Sequence, residues 1–153
     1  MLILLTALGC ASDEADAEAL WEEIQGYDGW AQLEAWAGVK ASCDGTHGPY
    51  VQIWHDDGAA TLVEGDVAIA PDGATLVKEA YESDASTLKS VAVMQKRDGY
   101  DADNGDWFWA MYGADGSVSQ AGSLSGCYGC HASGTDHVLY TSSTPVDDPG
   151  ECP

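Results

Sequence analysis

The sequence predicts an α+β domain: mainly antiparallel β-sheet, with N-terminal helices and one further helix near the C-terminus. Three observations carry this reading. Apolar residues recur at helical spacing between residues 20 and 36. Alternating runs follow between residues 50 and 112, joined by Asp-Gly turns of the kind that link sequential strands antiparallel. Finally, Cys127-Tyr128-Gly129-Cys130-His131 sets three reactive side chains at i, i+3 and i+4, the spacing of one helical face. With 153 residues, 45% of them hydrophobic, the chain suits one domain with a single core. No internal repeat is visible.

Residues 1–10 form a short apolar run ending Ala7-Leu8-Gly9-Cys10, which resembles a lipoprotein signal cut before a cysteine that is then lipidated. No Lys or Arg precedes it, and it is too short to span a bilayer. Residues 11–20 are an acidic lead into a helix, which Ser12 or Asp13 can cap while the early carboxylates face the positive end of its dipole. Leu20, Trp21 and Ile24, then Trp30, Leu33 and Trp36, predict two short helices over 13–25 and 28–36, interrupted at Gly26.

A loop over 38–48 holds Cys43 and His47. Tyr50-Val51-Gln52-Ile53-Trp54 alternates as a strand and turns at Asp56-Asp57-Gly58, before a helical turn over 59–64. Pro71-Asp72-Gly73 is a turn that launches a strand over 74–81. Further strands are expected over 87–96 and 106–112, closed by Asp98-Gly99 and Asp115-Gly116. Residues 117–125 lead into the helix of the cysteine motif, and 143–153 form a tail rich in proline and aspartate.

The cysteine motif carries the clearest chemistry. On one helical turn both thiols reach the two vinyl groups of a single porphyrin, while the imidazole meets the iron: the attachment signature of a c-type haem. Two alternatives use the same residues. A dithiol redox pair usually opens a helix within an alternating strand-helix pattern, which this chain lacks. A zinc site needs a fourth ligand, and His137 is the nearest in sequence. The reading is therefore one covalently bound haem c, held by Cys127, Cys130 and His131 within a haem domain over 21–142. Attachment of this kind takes place outside the bacterial cytoplasm. The expected location is accordingly the periplasm, with a lipid anchor at Cys10.

The net charge of −21, from 26 acidic and five basic residues, excludes nucleic acid as a partner, since phosphate binding needs Lys and Arg. Such acidity keeps a protein soluble, and it also steers cationic partners. Six tryptophans and seven tyrosines against one phenylalanine suit either an aromatic core or the walls of a haem pocket.

Scarce cations make Lys78 conspicuous. Ala74, Leu76, Lys78 and Ala80 share one face of their strand, and Lys78 is its only charged member. A lysine there either snorkels at a sheet edge or sits in an apolar pocket, where a lowered pKa makes it a nucleophile. His47 lines the pocket or structures its loop. His55, beside Asp56 and Asp57, reads as solvated. His137 packs near the haem edge or caps the motif helix. If Cys10 is lipidated and Cys127 and Cys130 hold haem, Cys43 and Cys152 are left over, and in an exported protein that pair is expected to form a disulfide.

The run Pro71-Asp72-Gly73-Ala74-Thr75-Leu76-Val77-Lys78-Glu79 resembles the signature of the cytochrome P-460 family. So do Val93-Met94-Gln95-Lys96, Gly105-Asp106-Trp107-Phe108-Trp109-Ala110, the haem motif itself and the downstream Asp136-His137-Val138-Leu139-Tyr140. Trp21-Glu22-Glu23-Ile24 and His47-Gly48-Pro49-Tyr50-Val51 fit in the same order. The resemblance implies a mono-haem, mainly β domain, generally a homodimer, with strands packed over the porphyrin. It implies that Lys78 is bonded to a porphyrin meso carbon, that His131 is the proximal iron ligand, and that the other iron face is open. Hydroxylamine would be oxidised there to nitrous or nitric oxide, with a redox partner protein taking the electrons.

The oxidising members are expected to hold an acidic residue in the distal pocket, whereas Val91-Ala92-Val93-Met94 is apolar. The related cytochromes c′-beta lack the crosslink, have an apolar distal face and bind nitric oxide. Three functions follow: hydroxylamine oxidation at a crosslinked haem, nitric oxide sensing or scavenging at an open iron, or electron transfer with Met94 or Met111 as sixth ligand. Lys78 favours the first.

Overall fold

The structure, a computed structural model, describes residues 12–43, 45–139 and 144–152. The apolar leader with Cys10, and Tyr140 of the downstream motif, lie outside the described residues. Ser12 accepts a hydrogen bond from the Ala15 N–H, and helix α1 (Asp13–Glu23) begins there with Asp13, Glu14 and Asp16 in its first turn. Gly26 ends this segment in the left-handed region, at φ 87°.

The second helix expected over 28–36 does not form. Two 3-10 turns, Tyr27–Gly29 and Glu34–Trp36, stand in its place, with Trp30 and Leu33 extended. The physical reason is tertiary. Ala31 pairs with His55 of the sheet, and the Gln32 side chain donates to the Ile53 carbonyl at 2.9 Å. Helical backbone geometry is incompatible with that pairing.

Six strands form one antiparallel meander in chain order: β1 (Lys40–Ala41), β2 (Tyr50–His55), β3 (Thr75–Tyr81), β4 (Leu88–Lys96), β5 (Trp107–Gly113) and β6 (Val118–Gly122). Between β2 and β3 lies α2 (Asp57–Val63), whose first turn is capped by Asp56 accepting from the Ala59 N–H at 2.7 Å. The cysteine motif occupies α3 (Ser125–His131). The architecture is the α+β arrangement expected from the sequence. Strands β1 and β6 were not foreseen: β1 has two residues, and β6 (Val-Ser-Gln-Ala-Gly) shows no clear alternation.

The register sorts the strands' side chains into two faces. Ile53, Lys78, Ala92, Met111 and Gln120 are consecutive cross-strand neighbours, and Leu76, Met94 and Trp109 form the next row of the same face. The opposite face presents Val77, Val91, Val93, Phe108, Ala110 and Tyr112 to Ala17, Leu20 and Ile24 of α1. Burying each large side chain there contributes about 1.5–3 kcal/mol. Tyr112, fully buried, donates its hydroxyl to the Ala17 carbonyl at 2.7 Å, so its polar tip is satisfied.

The first face packs against Trp36, against Ala59, Leu62 and Val63, and against Cys127 and Tyr128 of α3. The two cysteines left over by counting are joined: Cys43 and Cys152 have Cα atoms 5.3 Å apart. This bond, the Ala41–Val146 bridge and the Lys40–Asp147 ion pair at 2.6 Å tie the C-terminal tail to the loop before β2.

Candidate haem site

Helix α3 is held over the sheet by Leu124, which packs into the core and whose carbonyl accepts from the N–H groups of Cys127 and Tyr128 at 2.8 and 3.0 Å. This orientation leaves Cys127 half-buried and Cys130 exposed, both as free thiols. Burial, and secondarily the neighbouring Cys130 sulfur, push the Cys127 thiol above its ordinary pKa. A redox dithiol needs the opposite shift, toward a reactive thiolate.

His131 closes the motif, and its Nδ1–H donates to the backbone carbonyl of His137 at 2.8 Å. A carbonyl only accepts, so Nδ1 carries the proton, which leaves Nε2 as the nitrogen that could ligate a metal ion. The Trp109 ring stands edge-on to the imidazole, with centroids 4.9 Å apart.

Between α3 and the sheet lies a cavity of about 600 Å³. Its apolar wall comes from Trp36, Val51, Ile53, Leu76, Met94 and Trp109. Lys78, Cys127, Cys130 and His131 all line it, so four side chains singled out from the sequence share one chamber. Lys78 stands between Ile53 and Ala92 in its cross-strand row, on the cavity side of the sheet.

The histidines sort differently. His47 lines the cavity, with its ring perpendicular to that of His131 and centroids 6.3 Å apart. His55 is not solvated but 3% exposed, because Ala31 and Leu76 pair with it from both sides. His137 contributes its carbonyl to His131 and packs its ring against Gly105, where an added Cβ would lie 2.7 Å from the imidazole Nδ1. Ala92 and Met94 keep the expected apolar character of their strand on the cavity side, joined by Met111.

Polar lining residues that the sequence reading missed are Ser42, Thr46, Gln120 and Thr144. Gln120 sits on β6, a strand without a legible period. Ser42 and Thr46 belong to the cysteine loop, and Thr144 to the tail that the disulfide pulls in.

The donor set fits a porphyrin. Two thiols and an imidazole project from one helical turn into an apolar chamber, of a size usual for cofactor pockets. The Trp109 indole N–H is buried without a hydrogen-bond partner among the described residues, a donor that a bound polar group would satisfy. Among comparisons with known proteins, the sequence model of the cytochrome P-460 family matches residues 24–140. No curated protein gives a significant match.

Proposed function

The chain belongs to the cytochrome P-460 family of haem proteins, and from that premise we propose that it carries one covalently bound haem c and oxidises hydroxylamine. Cys127 and Cys130 would hold the ring through thioethers, His131 would ligate the iron through Nε2, and Lys78 Nζ would form a third bond, to a meso carbon. The observation that carries the reading is the meeting of Lys78 with all three motif residues in one cavity.

When bound, the haem supplies a ferric iron that accepts electrons from a small nitrogenous ligand. The chain's own part is to hold, orient and exclude water. The wall of Val51, Ile53, Leu76 and Met94 keeps the chamber apolar, which strengthens every electrostatic interaction inside it. Lys78, rooted in a central strand paired on both sides, fixes the ring against the sheet. The proposed setting is a periplasmic homodimer anchored through a lipid on Cys10. A redox partner protein takes the electrons, and the charge of −21 favours a cationic one.

The mass and ferrous absorption spectrum of the holoprotein, beside Lys78→Ala, test this. A strongly red-shifted Soret band that vanishes in the variant is expected. An ordinary c-type spectrum in the wild type overturns the crosslink.

A second reading has its own observation: no Asp or Glu is among the described residues lining the cavity. Proton removal from hydroxylamine needs a base within hydrogen-bond reach, whereas binding nitric oxide needs none. A five-coordinate haem with an ordinary spectrum, nitric oxide binding and no hydroxylamine turnover selects that reading. A six-coordinate low-spin haem selects electron transfer through Met94 or Met111.

A further inference from the structure

Lys96 is one of five basic residues in the chain, yet it is 4% exposed. Its ammonium donates to both carboxylate oxygens of Asp136 at 2.9 Å and to the Gly105 carbonyl at 2.7 Å, over the Trp107 ring. Asp136 Oδ2 also accepts from the Ala70 N–H at 2.8 Å, and the Asp136 carbonyl accepts from the Trp107 indole at 2.9 Å.

All of these groups converge on one short turn, and it is strained. Asp136 and His137 both adopt left-handed backbone, at φ 45° and 65°, a region that side chains other than glycine avoid. Such a turn persists only where its surroundings over-determine it. The Thr135–Val138 bridge closes it from within, and the Lys96–Asp136 pair, Trp107 and Gly105 hold it from the sheet side. What the turn presents is the His137 carbonyl, 2.8 Å from His131 Nδ1.

A buried ion pair is a weak device for stability, since apolar residues of similar volume often do as well. It is a strong device for position, because both partners must be met to avoid a lone buried charge. The acceptor beyond a metal-bound histidine fixes the ring's orientation and raises its basicity, and a more basic axial ligand favours the ferric state. We propose that Lys96, Asp136 and Trp107 form a positioning clamp that sets the His131–His137 hydrogen bond and, through it, the reduction potential of the haem iron. The inference rests on His131 being the axial ligand.

The test uses the holoprotein, its potentiometric titration and the iron–histidine stretching band of the ferrous form. Asp136→Asn leaves Lys96 without its counter-charge. Trp107→Phe keeps an aromatic ring and removes only the indole donor. Each should lower the stretching frequency and raise the potential, by up to about tenfold in the reduction equilibrium for Asp136→Asn, or about 59 mV for a one-electron couple. Tyr112→Phe removes a buried hydrogen bond on the α1 face and should move neither readout.

Unchanged band and potential in both clamp variants overturn the proposal, as does an equal shift in Tyr112→Phe. If Asp136→Asn does not fold, Trp107→Phe decides alone. A wild type whose ferrous haem is five-coordinate and high-spin yet lacks an iron–histidine band overturns the underlying ligand assignment instead, and the clamp falls with it; in a six-coordinate haem the potential alone decides.

Discussion

On the sheet face beneath α1, Val77, Val91, Val93, Phe108, Ala110 and Tyr112 meet Ala17, Leu20 and Ile24, and none of the nine is more than 2% exposed. On the other face Leu76, Lys78, Ala92, Met94 and Met111, drawn from neighbouring positions of the same strands, border a cavity of about 600 Å³. The strands are apolar toward both sides, so residue type alone does not separate the faces. The difference lies in what covers them. The chain fills the first face with its own helix. It covers the second with a short helix bearing two thiols and an imidazole, and leaves a chamber between. Protein interiors are close-packed, so a lined chamber of this size is the kind of place where proteins hold small molecules and cofactors.

That contrast can be broken from either side. The largest effect is expected on the cavity face: replacing both Cys127 and Cys130 with Ser in a Lys78→Ala background, where no lysine bond can hold the ring, should abolish covalent haem, read as loss of the haem increment in the intact mass. Retention of covalent haem in that variant would sink the attachment assignment.

On the α1 face, Leu20→Ala should leave the spectrum of the holoprotein intact while costing about 2–5 kcal/mol of stability, measured by urea denaturation. A spectral change equal to that of a cavity-face variant would show that the two faces are not separable.

The smallest effect is expected from alkaline pH. Burial first, and then donation to Asp13, push the Tyr100 hydroxyl up to about 12. Burial and donation to Glu79 push Tyr27 and Tyr81 further in the same direction. The folded state thus holds these phenol protons more tightly than the unfolded chain, whose tyrosines titrate near 10. Stability should be flat with respect to these groups below about pH 10, then decline as pH rises toward the folded values. Tyr100→Phe should make that decline shallower. A denaturation midpoint that rises above pH 10 would contradict the assignment.

Much of the site was legible before any coordinates because its signals are local. The spacing of Cys127, Cys130 and His131 is that of a helical turn, and the period of β3 puts Lys78 on a face with Leu76. Strand positions from β2 to β5 follow from the same alternation, and cysteine counting leads to the Cys43–Cys152 pair. Where local pattern competes with pairing, it loses: the helical period of Trp30, Leu33 and Trp36 gives way because Ala31 finds a strand partner in His55. Edge strand β6 has no period to read, since its existence depends on β5 offering backbone groups beside it. His47 has two readings in the sequence, and only the path of the loop before β2 brings it to the cavity.

The sequence by itself determined that Cys127, Cys130 and His131 share the spacing of one helical turn, on which strand face Lys78 lies, and which cysteines remain for a disulfide. These are properties of spacing and count, and they survive any arrangement of the chain that keeps its helices and strands. The tertiary structure alone decided that α3 lies over the Lys78 face and that α1 fills the other. It also decided that Lys96 meets Asp136, 40 residues away, in the turn whose His137 carbonyl accepts a hydrogen bond from His131 Nδ1–H. Hydrogen-bond acceptors on a backbone turn have no side-chain signature. Their direction is set by φ and ψ, here at Asp136 and His137, and those angles are held by contacts from strands far along the chain.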